Sequence, residues 1–153
     1  VEMCRTQDQV CGNAWFRSSC ISGNDGGITN AMRYELYQYP ALVPEMPWID
    51  SLPPNRPLDL KIFPQTDGLY LTWELPEPAQ DGDLPTYYVV YRFLDGEAND
   101  LDDPRNIVAT TRDMHYFDRS AKPGMVYTYA VTSVDRLHNE SERFVYRTYA
   151  YEQ

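Results

Sequence analysis

A chain of 153 residues with 42% hydrophobic and 14% aromatic content has room for one domain of about 100 residues plus an added segment, and most of it is too apolar to be disordered. Its net charge of −10 repels phosphate backbones and anionic headgroups, which argues against nucleic acid and anionic membrane surfaces as partners. No apolar run approaches the roughly 18 residues of a membrane-spanning helix, so no membrane insertion is expected from these residues, and no basic-then-apolar leader is read at Val1.

The charge is unevenly spread: residues 1–56 carry four basic and six acidic side chains and residues 57–153 nine and seventeen, so the second part holds −8 of the −10. Thirteen tyrosines and twelve prolines point to strands, turns and sheet edges. Cys4, Cys11 and Cys20 all lie in the first part. Their odd number and spacing fit neither a disulfide framework nor a zinc set, so they read as buried thiols and leave the redox compartment open.

Val10 to Phe16, VCGNAWF, is short and apolar between turn residues, which predicts a buried strand. ISGNDGG follows as a turn. Asn24 or Asp25 then caps a predicted helix over about Gly26 to Gln38, with Ile28, Ala31, Met32, Leu36 and Tyr39 on one stripe and Pro40 and Pro44 ending it. One strand–turn–helix unit cannot bury both faces of its strand, so it calls for neighbours. From Tyr39 to Pro57, six prolines block helix and central strand alike. This segment is expected to run extended as an inter-domain strap, anchored by Leu42, Met46 and Trp48.

Beyond Pro57 the pattern turns to period two. LDLKIF (58–63), LYLTWEL (69–75), TYYVVYRF (86–93), NIVATT (106–111), YTYAVTSVD (127–135) and RFVYRTYAY (143–151) read as strands separated by turn clusters. Six or seven short strands in this span predict a mainly β, antiparallel sandwich. In TYYVVYRF apolar residues occupy both parities, so which of them faces the core stays open.

The run AKPGMVYTYAVTSVDRLHNES resembles the end of a fibronectin type III domain. Trp73 resembles its core tryptophan, Tyr88 to Arg92 the Tyr-x-Val-Tyr-Arg of its third strand, and Pro57 its opening proline. Gly124 sits in the Pro-Gly turn, Asn139 in the closing turn, and Tyr127 at the tyrosine-corner position, whose hydroxyl bonds to upstream backbone. The resemblance implies an immunoglobulin-like sandwich of about seven strands over residues 57–153.

FRSSCISGNDGGITNAMRYELYQYPALVPEMPW resembles the last strand, helix and exit strap of the (β/α)8 barrels of glycosyl-hydrolase-like family ten. The resemblance implies that residues 1–39 are the end of a truncated TIM barrel, 40–56 the strap, and the chain a C-terminal fragment. It places the acid/base and nucleophile of such barrels on the fourth and seventh strands, so no catalytic residue is assigned in this chain. It implies a parent glycoside hydrolase outside the cytoplasm, with the catalytic barrel as partner in cis and polysaccharide as its substrate class.

Trp15, Phe16 and Arg17 fall at the rim of the inferred last barrel strand, where they would line a sugar subsite or merely pack strand on helix. The acidic residues Asp95, Glu97, Asp100, Asp102 and Asp103 lack the spacing of a calcium loop and read as solvated. His115 and His138 have no companion at ligand spacing, so no metal and no cofactor is assigned. Tyr70, Tyr146, Tyr149 and Tyr151 would stack on sugar if they shared an exposed sheet face, which keeps a carbohydrate-binding module as one alternative. A protein-interaction module using a sheet edge is the other.

Overall fold

The structure, a computed structural model, describes residues 6–7, 14, 18–95 and 100–152. Apart from Ala14, the expected strand Val10 to Phe16, with Trp15, Phe16 and Arg17, lies outside the described residues, as do Cys4, Cys11 and Glu97. Two compact units divide the chain, Val1–Pro40 and Ala41–Gln153.

In the first unit, α1 (Ser19–Ser22) and a 3-10 turn (Asp25–Gly27) precede α2 (Ile28–Ala31), which runs on as a π-helical turn (Met32–Leu36). The helix starts two residues later than the expected Gly26 because Gly26 and Gly27 take left-handed φ values of 63° and 79°. Helical backbone cannot begin until those angles have been passed. Asn24 still serves the helix start: its Oδ1 accepts the N–H groups of Thr29 (3.0 Å) and Asn30 (3.3 Å). Regular helix ends at Leu36, not Gln38, where the Tyr37 N–H reaches back to the Met32 carbonyl at 2.8 Å. Ile28, Ala31, Met32 and Leu36 are only half-buried and Tyr39 is exposed.

The second unit is a seven-stranded antiparallel sandwich. Its strands are β1 (Leu58–Gln65), β2 (Gly68–Glu74), β3 (Tyr87–Leu94), β4 (Ile107–Thr111), β5 (His115–Asp118), β6 (Met125–Val134) and β7 (Val145–Tyr151). They form one sheet in the order β1-β2-β5 and a second in the order β4-β3-β6-β7. Six coincide with the period-two runs. The seventh, β5, pairs with β2 from Leu69↔Asp118 to Thr72↔His115.

Between the sheets lie Leu60, Ile62, Leu69, Leu71, Trp73, Tyr88, Val90, Tyr127, Tyr129 and Val131. The Trp73 and Tyr88 rings meet edge-on at 5.5 Å, the geometry that aromatic quadrupoles favour. A second buried cluster, Val89, Tyr91, Phe93, Ala130 and Val134, occupies the opposite face of the larger sheet. Leu42, Leu101, Ile107 and Phe144 pack against it. Both parities of β3 are therefore buried, one set in the inter-sheet core and the other beneath a covering layer of strap and loops.

Gly68 follows the two-residue turn between β1 and β2, and β5 crosses close to it. A side-chain carbon at this position would lie 2.3 Å from the Asp118 carbonyl oxygen, at a φ of 154°. Gly68→Ala is expected to destabilise the sandwich by about 2 kcal/mol, because the β2–β5 ladder must open to admit it. A urea melt with an unchanged midpoint would refute this.

Candidate functional site

The prolines of the strap (Ala41 to Arg56) keep it out of helix and ladder, and three hydrogen-bonded points fix it to the sandwich. The Met46 N–H donates to the Leu137 carbonyl at 3.2 Å. The Asn139 side-chain amide donates to the Asp50 carbonyl at 3.2 Å. The Asn55 amide donates to the Glu77 and Pro78 carbonyls at 3.1 and 3.0 Å. Leu42 supplies the apolar contact on the second cluster. Trp48, expected as an anchor, is instead 77% exposed, because it sits at the apex of a turn closed by Ile49 N–H to Met46 O at 3.0 Å.

The receptor for this strap is the turn between β6 and β7. Asp135 is buried and accepts the N–H groups of Leu137 (2.7 Å) and Asn139 (2.9 Å) and the Asn139 side-chain amide (2.8 Å). His138 takes a left-handed φ of 70° to close the turn, and its Nδ1 lies 3.4 Å from the Tyr87 hydroxyl. Asn139 thus uses one amide group to bind both the buried carboxylate and the strap. Sequence reading found Asn139 through its motif but not this double duty. Its partner Asp50 is 89 positions away, and no local pattern marks the pair.

At the other end of β6, the Tyr127 hydroxyl accepts the Lys122 N–H at 3.0 Å. Gly124 takes a φ of 85° in the preceding turn, and its N–H donates to the Tyr151 carbonyl at 2.6 Å. Tyr127→Phe is expected to cost about 1 kcal/mol, since a part-buried backbone hydrogen bond is lost while the ring stays packed. A thermal melt superimposable on that of the parent would contradict this.

A buried charge network lies beside it. Asp118, fully buried, accepts from the Tyr129 hydroxyl (2.6 Å), Arg92 Nη1 (2.7 Å), and the Ser120 hydroxyl (2.7 Å) and N–H (2.9 Å). Burial pushes the Asp118 carboxyl up, but its hydroxyl donors and the Arg92 guanidinium outweigh that and hold it below the usual carboxylate range. Burial and the bond to Asp118 both push the Tyr129 hydroxyl far above its ordinary value. The pair is locked as carboxylate and phenol.

Arg92 also borders a cleft of about 790 Å³, lined with Asp103, Arg105, Ser120, Lys122 and Tyr127. Both of its arginines are paired: Arg92 with Asp118, and Arg105 with Asp103. Asp103, read as solvated from the sequence, caps the turn before β4 through the Arg105 N–H at 3.0 Å. Within this cleft the Asp118 and Asp103 carboxylates are thus committed to internal ion pairs and hydrogen bonds.

Asp50, Asp81 and Asp83 bring ligand oxygens within 4.8 Å of one another. One oxygen of each is already engaged: Asp50 Oδ1 accepts the Leu52 N–H, Asp81 Oδ1 accepts the Asp83 N–H, and Asp83 Oδ2 meets Arg136 Nε at 3.1 Å. His115 lies exposed on β5, against Tyr70 at 5.7 Å between ring centres.

The four tyrosines proposed as a sugar-stacking stripe do not share a face. Tyr151 is 6% exposed, and its hydroxyl donates to the Gln65 carbonyl at 2.9 Å. Tyr149 packs on the inter-sheet core, Tyr146 points the opposite way at 63% exposure, and Tyr70 stands on the other sheet.

Known proteins with this arrangement include the twitchin kinase region of C. elegans, with a TM-score of 0.53 at 16% identity over 65% of this chain and 17% of that one. The fourth FNIII domain of a human protein gives a TM-score of 0.52 at 15% identity over 65% and 82%. The sandwich is fibronectin type III-like. In sequence, the chain is 35% identical over 142 residues to glycosyl hydrolase YngK of Bacillus subtilis (strain 168). That match takes in 90% of this chain, and hence parts of both units, but the chain spans only 27% of the relative's length. No protein-family profile matches the chain.

Proposed function

We propose that residues 57–153 are a non-catalytic accessory domain of a glycoside hydrolase that acts on polysaccharide outside the cytoplasm, and that residues 1–39 are the last strand and helix of its (β/α)8 barrel. The strap of residues 40–56 then couples the two. The observation that carries this reading is the match of both units, in one stretch, to a small part of a glycosyl hydrolase. The half-buried apolar stripe of Ile28, Ala31, Met32 and Leu36 supports it, because a barrel helix needs the neighbouring helices and sheet to bury that stripe. In this role the sandwich packs against the barrel or spaces it, and hydrolysis of O-glycosyl bonds belongs to residues outside this chain. Trp15, Phe16 and Arg17 would line the rim of the barrel's sugar site.

The test compares the 153-residue chain with a polypeptide that includes its natural upstream segment, on a panel of soluble polysaccharides. Reducing ends are expected from the longer polypeptide alone. Hydrolysis by the short chain would overturn the accessory role. A glycan array on the short chain separates packing from sugar capture, with no binding expected now that the tyrosines are dispersed over different faces.

A further inference from the structure

The strap has an inner and an outer side, and only the inner one is accounted for by the sandwich. Leu42 and Met46 are half-buried, and Pro54 and Pro57 are buried. Exposed on the strap are Val43 at 54%, Trp48 at 77%, Ile49 at 60% and Leu52 at 42%. Four large apolar side chains exposed within ten residues exceed the scattered singles usual on a soluble surface.

The tip of this patch is held in shape. Met46 and Asp50 are each tied to the β6–β7 turn, and the turn between them is closed by the N–H groups of Ile49 and Asp50 on the Met46 carbonyl at 3.0 and 3.3 Å. Trp48 and Ile49 therefore project from a pinned turn flanked by Pro44, Pro47 and Pro53. Little conformational entropy remains for them to lose on docking. A rigidly presented tryptophan with a β-branched neighbour has the composition of an interface hot spot.

We infer that Trp48 and Ile49 form a knob that inserts into the surface of the catalytic domain preceding the strap in the same polypeptide. This rests on the reading under Proposed function that such a domain exists. The occupant is argued from chain connectivity. The relative that matches 90% of this chain has most of its length outside the match, and only seven residues separate Pro40 from Trp48. Any domain ending near Pro40 is held beside the knob at an effective concentration of about millimolar or more, which a free partner must outcompete.

Hydrogen exchange on the polypeptide with its natural upstream segment tests the knob. Amides of residues 48–52 are expected to exchange at least about tenfold more slowly there than in the 153-residue chain. The double variant Trp48→Ala, Ile49→Ala is expected to restore the fast rate in the longer polypeptide while leaving the melt of the 153-residue chain unchanged. Equal exchange in both parents, with hydrolase activity present upstream, overturns the knob and leaves the accessory reading standing. An upstream segment without hydrolase activity removes both. If the 153-residue chain sediments as a dimer that Trp48→Ala dissociates, the knob binds a second copy, and the assignment to the catalytic domain fails.

Discussion

Asp118→Ala is expected to lower the stability of the sandwich by about 3–5 kcal/mol, the largest loss from any single polar substitution here. The carboxylate is fully buried and takes hydrogen bonds from Tyr129, Arg92 and Ser120. Its removal leaves the guanidinium of Arg92 without its counter-charge and the buried Tyr129 hydroxyl without an acceptor. Asp118→Asn keeps the shape but turns an amide donor towards other donors, so it is expected to be destabilising by a smaller amount. The pH dependence follows from the direction of the shift. A carboxyl held below its unfolded value of about 3.9 binds its proton less readily in the folded state. The network's contribution is then complete at neutral pH and is lost as pH falls from about 4 through the folded value. Urea unfolding at steps between pH 7 and pH 2 should show this acid loss in the parent and a shallower one in Asp118→Ala. If the variant matches the parent at pH 7, the network is not a major support of the fold.

Much of the sandwich was legible from alternation. Leu60 and Ile62, and Leu69, Leu71 and Trp73, stand at every second position of their strands and are all buried between the sheets. The loose motif residues also found definite places: Trp73 against Tyr88, Tyr127 on the Lys122 amide, and Asn139 on Asp135. β5 was missed because His115 to Asp118 is four residues with no glycine or proline beside it. Only its pairing with β2 makes it a strand. The doubly apolar β3 resisted a parity reading for a physical reason, since Val89, Tyr91 and Phe93 are covered by a layer from elsewhere in the chain. Alternation presumes one wet face, and this sheet has none along β3. The tyrosine stripe, by contrast, was answerable from the sequence: Tyr146 differs in parity from Tyr149 and Tyr151, so period two alone puts it on the other face. The Asp118–Arg92 pair spans 26 positions across two sheets. It has no local trace, because ion pairing across a sandwich depends on strand order.

The strap makes the second large effect testable through Asn139→Ala. This change removes a charge-assisted donor from buried Asp135 and the only side-chain hydrogen bond found between the strap and the β6–β7 turn among the described residues. The two losses together are expected to cost about 3 kcal/mol, most of it from Asp135, whose carboxylate keeps only two backbone donors. A second readout separates strap release from simple weakening of the turn. If Asn139 holds the strap over the face of Val89, Tyr91 and Phe93, amides 46–50 should exchange faster in the variant than the stability loss alone explains. A dye that reports exposed apolar surface should bind while the β3–β6 ladder stays protected. Leu42→Asp should give the same dye binding with the Asp135 turn intact, because it attacks the cover directly. Should Asn139→Ala lower stability without releasing amides 46–50, the strap is held by its prolines and by Leu42. The turn would then be a fold element alone, and the strap's grip on the sandwich would rest on apolar contact.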